Sequence, residues 1–381
     1  PVPVATNFGS AAVTRTGYEE RDLMDYDAES LKADFGFVYR PNADDLEIVW
    51  NSKIGRGNTI YQGANRYSIK DFFMQQHKLE IRNKNFFVRG YTTAEKAGNS
   101  YDTRFTAINI NRRWKPDLEW FGDYALGYLT ARFLNPGVTD EQGHAAGRAN
   151  ADNGRFMPGT PEFNDALNSI TADGDLTTGS KFQDNSKIYH VDANYNLGHL
   201  TGDFADIMVG GSWRQYSLNS GGTIYTDNDG PINYQEYGAY VQLQKKMLEE
   251  RLKFTGSVRY DKSEFFDGFF SPRASLVYAV DENKRHNLRA SFQTGFRNPD
   301  TQALYIGFDV GPIILLGGAI DNPQRDIRTA SGSDLSPTGQ AILGTNSYTY
   351  DGSGAFNNSF TRSSAEAFAE SRNPADLKIA N

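Results

Sequence analysis

The chain has 381 residues, 38% hydrophobic and 23% charged, so it can bury a core, yet it contains no continuous apolar run of transmembrane-helix length. It has no Cys, which excludes disulfides and thiolate metal sites. A net charge of −8 argues against nucleic acid as the main partner, because phosphate binding needs a basic surface.

Residues 1–30 are polar and irregular and read as a loop segment. Residues 1–10 have no charged start, apolar stretch or cleavage-like site of a secretory signal. The first clear strand is 31–40, where Leu31, Ala33, Phe35, Phe37 and Tyr39 fall on one side at period two. The turn PNAD at 41–44 leads into a return strand carried by Leu46, Ile48 and Trp50. Residues 51–75, with GRGN and YQGANRY, read as a long polar connection before strands at 76–82 and 86–92. Two further strands are expected, at 101–114 and at EWFGDYALGYLTARF (119–133), joined by the turn KPDL. Residues 135–187, rich in Gly, Asn, Asp and Pro, read as the longest internal loop.

Residues 188–197 alternate completely, with Tyr189, Val191, Ala193, Tyr195 and Leu197 against His190, Asp192, Asn194 and Asn196. Strands are then expected at 204–217, 234–245, 252–261, 271–280 and 288–299, separated by short turns such as KMLEE and DENKRH and by longer loops such as 218–233. In the last of them Leu288, Ala290, Phe292, Thr294 and Phe296 oppose Arg289, Ser291, Gln293, Gly295 and Arg297. Residues 298–381 show no clear alternation and read as a long loop, cut before further strands.

About twelve strands with short turns at one end and long loops at the other have the asymmetry of outer-membrane barrels. A propeller or sandwich has no reason to keep it, and no blade-length repeat is present. The mean hydropathy of −0.60 is compatible, since only alternate strand residues of a large barrel meet lipid. The expected fold class is therefore all-β, an antiparallel transmembrane β-barrel with long extracellular loops and short periplasmic turns. Its expected parts are an N-terminal loop segment (1–30), barrel strands and loops (31–297) and an extracellular loop segment (298–381).

LKFTGSVRYD (252–261), SPRASLVY (271–278) and LRASFQTGFRNP (288–299) together resemble the C-terminal barrel domain of TonB-dependent outer-membrane receptors, where Arg-Tyr-Asp, Pro-Arg and Gly-Phe-Arg-Asn-Pro recur on successive strands. TIYQGANRYSIKDFF (59–73) and KNFFVRGYTT (84–93) look like the early barrel of the Bacteroidetes branch of that family. The resemblance covers residues 31–305 and implies that these strands belong to a larger barrel of about 22 strands. It also implies uptake of a scarce solute (a glycan, peptide or metal chelate) across the outer membrane of a Gram-negative bacterium. The implied partners are outer-membrane lipid and the TonB complex, acting through a plug that is not visible in this chain, with a surface lipoprotein as a further candidate. The alternative is a structural or adhesive barrel whose loops bind a partner protein or glycan without transport.

Arg259, Arg273, Arg289 and Arg297 sit on the polar side of their strands, where they either contact the plug and line a path or only solvate the inner wall. Trp50, Trp114, Trp120, Trp213, Tyr128 and Tyr260 suit interfacial girdles, or else reflect the strand preference of aromatics in any sheet. Phe156, Phe163, Tyr305 and Phe308, with Tyr348 and Tyr350, are candidate ligand contacts, because loops on a rigid scaffold commonly carry binding. The five His are scattered and no His-Glu-x-x-His or Gly-x-Ser-x-Gly is present. The chain is not expected to be an enzyme, and no catalytic, cofactor or metal residue is expected. DNDG at 227–230 lacks the bidentate Glu of a calcium loop and reads as a turn.

Overall fold

The structure, a computed structural model, describes residues 2–6, 9–42, 45–63, 65–135, 137–202, 204–309, 314–331, 337–357, 360–376 and 378. It opens with a hairpin, β1 (Val2–Thr6) and β2 (Gly9–Val13), and a short helix α1 (Glu20–Leu23), where a loop was expected. β3 (Glu29–Tyr39), β4 (Glu47–Gln62), β5 (Arg66–Arg82), β6 (Phe86–Lys96) and the two-residue β7 (Tyr101–Asp102) follow. Four helices come next: α2 (Thr103–Trp114), α3 (Asp117–Leu134), α4 (Asp140–Ala151) and α5 (Pro161–Ala172). The chain then returns to strands in β8 (Lys187–Asn196), β9 (Asp206–Leu218) after the short α6 (Gly198–Thr201), β10 (Ile232–Met247), β11 (Leu252–Ser263), β12 (Phe269–Ala279) and β13 (Asn287–Gln293). Beyond them lie α7 (Thr301–Tyr305), the hairpin of β14 (Gly307–Asp309) and β15 (Ile314–Leu316), α8 (Asn322–Arg325) and β16 (Arg328–Ser331). After α9 (Pro337–Leu343), β17 (Ser347–Tyr350) pairs with β16, and α10 (Ser353–Asn357) and α11 (Arg362–Ser371) end the series.

The residues form two compact units. The first comprises Pro1–Lys32, Gly55–Phe73 and Lys96–Gln183, and it overturns part of the sequence reading. The expected strands at 101–114 and 119–133 are the helices α2 and α3, and the expected loop 135–187 holds α4 and α5. Asp102 starts α2 by accepting from the N–H groups of Arg104 (2.8 Å) and Phe105 (3.0 Å). Burial pushes this carboxyl up, against the hydrogen bond from Asn65. In α3, Trp120, Tyr124 and Tyr128 recur every fourth residue and are buried, whereas strand propensity had made the same aromatics look like a sheet. Thr139 and Gln142 close a capping box on α4, and α4 meets α3 through Gly143 and Gly147. A Cβ on Gly147 would stand 2.8 Å from the Tyr124 carbonyl oxygen, so the close approach requires glycine. α5 opens with Thr160 as cap and Pro161 in its first turn, and its Phe163, Ala166 and Ile170 pack on Ile110 of α2 and Leu23 of α1.

The strands join one antiparallel sheet in the order β13-β12-β11-β10-β9-β8-β6-β5-β4-β3, with β7 beside β5, and the sheet is not closed. Among the described residues ten strands follow one another in the sheet where about twelve were expected, the two lost being α2 and α3. Because an even number was lost, the alternation of ends survives. Connections after β3, β5, β8, β10 and β12 leave one end of the sheet, and those after β4, β6, β9, β11 and β13 leave the other. The expected polar connection 51–75 is instead strand up to Gln62 and again from Arg66, since β4 has 16 residues and β5 has 17. A membrane strand needs only about 9–11 residues, so the remainder of each is under no demand for an apolar face and carried no alternation to read.

Register gives the sheet two faces. One row runs Val88, Ala193, Gly211, Ala239, Tyr260, Phe270, and another runs Phe86, Tyr195, Val209, Val241, Val258, Pro272. Between these rows, on the opposite face, lie Phe87, Asn194, Gly210, Tyr240, Arg259 and Ser271. Trp213 and Tyr260 belong to the apolar face and Trp50 is exposed on β4. Trp114, Trp120 and Tyr128 are helical and so leave the proposed girdle. No helix among the described residues is long and apolar enough to cross a membrane.

Candidate functional site

The densest group of charged side chains lies on the polar face of β6, β8, β9, β10 and β11. Arg89 donates to Asp192 at 2.7 Å. His190, beside it in the next row, has Nε2 at 3.5 Å from the same carboxylate, while Arg214 Nε donates to its Nδ1 at 3.4 Å. Tyr91 packs against the His190 ring at 4.8 Å. Arg214 continues to Glu236 at 3.6 Å and to the Tyr216 hydroxyl at 3.1 Å. Arg259 Nε lies 2.8 Å from each Asp261 oxygen, and its Nη2 donates to Ser212 at 3.1 Å.

These contacts set each guanidinium against a carboxylate, as a wet, low-net-charge wall requires, since an unpaired charge on it would hold its own counter-ion. A cleft of about 100 Å³ lies among Arg214, Glu236, Arg259 and Asp261, with Phe296 and Asn298 from the segment after β13 at its edge. Asn298 donates to Glu236 at 3.3 Å. The arrangement can hydrogen-bond a passing polar group and orient it. Among the described residues no three metal-ligating side chains converge.

Of the four arginines singled out in the sequence, Arg259 is in this network. Arg273 shares its face and is paired in register with Ser257 and Gln293, and Arg289 is paired with Val277. Arg297 is off the sheet, because β13 ends at Gln293 and not at residue 299. Gly295 and Pro299 explain the early stop, since glycine weakens a strand and proline lacks the N–H of a ladder.

The loop aromatics are placed differently from the expectation. Phe163 is 2% exposed in the core of the helical unit, with Phe156 packed against that core. Tyr305 and Phe308 are buried in the second unit. Tyr305 donates to Asp321 at 3.1 Å and touches the rings of Phe265 and Tyr234; burial and the Asp321 carboxylate push its hydroxyl up. Phe163, Tyr305 and Phe308 are thus buried, and Phe156 is half-buried. For Phe163 the sequence carried a signal for the correct reading, namely Thr-Pro-Glu ahead of apolar residues at positions 163, 166 and 170. The partners of His190 had no such signal, because register between strands is not local.

An antiparallel sheet with one apolar face and one face of paired charges is the wall of a transmembrane β-barrel. The family described as TonB dependent receptor-like, beta-barrel matches residues 17–368. The chain belongs to that family, which is one of outer-membrane receptors and transporters of Gram-negative bacteria, not of enzymes. Among solved structures it is similar to the siderophore receptor PirA from Pseudomonas aeruginosa, at 10% identity and a TM-score of 0.42, over 73% of this chain and 37% of that one. It is also similar to the ferric enterobactin receptor PfeA in complex with BCV-L6, at 13% identity and a TM-score of 0.39, over 75% and 36%. The chain thus spans little more than a third of the length of either. No curated protein sequence matches it.

Proposed function

We propose that this chain forms part of the barrel wall of a TonB-dependent receptor that carries a scarce solute (a glycan, peptide or metal chelate) across the outer membrane. The observation that supports this most is the two-faced register, with lipid against the Val209, Val241 and Val258 side and the solute path along the Arg89-to-Asp261 network. A barrel too wide for its own side chains to fill needs a plug to be selective, and the TonB complex acts on that plug. A surface lipoprotein is a further partner that the long connections could receive.

In the full-length receptor, uptake of its solute should cease in a strain lacking TonB while surface binding persists. Uptake that survives the loss of TonB would overturn the transport reading. The ends left by β6 and β9 should face outward. A tag inserted at Gly154, an exposed glycine in a left-handed turn (φ +81°), should then be reached by antibody in intact cells. A tag detected only after the outer membrane is opened would invert the topology.

A second reading, a barrel whose loops hold a partner protein or glycan without transport, is favoured by one feature of the helical unit. Leu118, Leu126 and Phe133 of α3 are exposed on the side away from Trp120, Tyr124 and Tyr128. Loss of cell adhesion in a variant with all three changed to Ser, for a barrel that takes up no solute with or without TonB, would support this second reading.

A further inference from the structure

The small sheet of β16 and β17 pairs Arg328 with Tyr350 and residue 330 with Tyr348. Tyr348 and Tyr350 are two residues apart and so share one face, while Thr349 turns to the other and meets Thr329 at 2.9 Å. The two rings are nearly parallel, 13° apart with centroids at 6.2 Å. They order one another and yet remain 48% and 41% exposed.

Arg328, across the ladder from Tyr350, is held in place. Its guanidinium reaches both oxygens of Asp326 (3.1 and 2.8 Å) and one oxygen of Asp309 (3.3 Å). The face therefore joins an aromatic strip to a fixed, planar edge of donors and acceptors. Two carboxylates around one guanidinium leave that edge weakly negative, which disfavours an anionic chelate. It does not disfavour a neutral ring with hydroxyls at its rim. A pyranose presents an apolar C–H face that lies flat on an aromatic ring, and its equatorial hydroxyls point outward in the plane where bidentate groups meet them.

We infer that Tyr348 and Tyr350, edged by Asp309 and by Arg328, which the buried Asp326 holds in place, form a stacking subsite for neutral sugar rings of a glycan. The inference rests on the receptor reading for its place at the cell surface, but its chemistry stands without transport.

The test uses the full-length purified receptor in detergent, without TonB, and a panel of maltohexaose, cellohexaose, xylohexaose and mannohexaose in titration calorimetry. At least one hexamer should bind. The Tyr348→Ala/Tyr350→Ala receptor should bind it about tenfold more weakly or worse, in line with the worth of aromatic contacts, while the Tyr348→Phe/Tyr350→Phe receptor should keep its affinity. Should the Ala pair fail to fold, the Leu pair, which keeps apolar bulk and loses the flat rings, must show the same loss. Unchanged affinity in the folded Ala or Leu pair would overturn the inference, as would no binding of any hexamer to the unmodified receptor. Because TonB takes no part here, a failure of the transport reading would show in the uptake assay and leave this titration untouched.

Discussion

Replacing Phe163 by Ala should cost the helical unit about 3–5 kcal/mol, the usual penalty for removing a fully buried ring. The ring fills the space between Ile110, Ala166, Ile170 and Leu23, all buried. It also lies 5.2 Å from Tyr18, whose hydroxyl donates to the Phe156 carbonyl and whose ring sits beneath Arg155 at 4.0 Å. A loss of that size is comparable with the whole stability of a small domain, about 5–15 kcal/mol. Hydrogen exchange of the full-length receptor is the direct measurement: amides of α2 and α5 should exchange faster in Phe163→Ala, with those of β9, β10 and β11 unchanged. If exchange is unaltered and solute binding falls instead, Phe163 is the ligand contact that its place in a Gly- and Asn-rich stretch suggested, and its burial has been misjudged.

Why the sheet could be read and the helices could not follows from the residues. From 188 to 261 each strand is apolar on one side only, and a one-residue slip would turn Val191 or Val258 onto the wrong face, so period two is enforced. His190, Asp192 and Arg259 were thereby assigned to the polar face without any knowledge of their partners. α3 offers no such contrast, because Trp120, Phe121, Tyr124, Leu126, Tyr128, Leu129 and Phe133 place apolar groups all round it, and both periods fit. What separated helix from strand there was its punctuation: Pro116 ahead of α3, then Thr139 with Gln142 ahead of α4, which packs on α3, and Thr160 with Pro161 ahead of α5. The long β4 and β5 were hidden for the opposite reason, being polar beyond the length a bilayer needs. The charged network joins residues as far apart as Arg259 and Ser212, and only the register of β9, β10 and β11 brings them together.

Val241→Arg should destabilise the receptor in lipid vesicles by about 2–4 kcal/mol, whereas Gln242→Arg, one residue along β10, should cost little. Val241 is 47% exposed and is flanked in register by Val209 and Val258, so its side chain meets hydrocarbon when the sheet stands in the membrane. A guanidinium there has no partner within the apolar rows and must reach for the interface or draw water inward. Gln242 lies between Met208 and Ser257 on the face that carries Arg259 and Arg273, where a new cation is hydrated at once. The two variants differ by one position and carry the same added charge, so net charge cancels in the comparison and the face is the dominant difference. Folding titrations of the full-length receptor in vesicles measure it. Equal losses at the two positions would mean that the faces are interchanged or that this wall does not meet lipid, and the placement of the Arg89-to-Asp261 network along the solute path would fall with them.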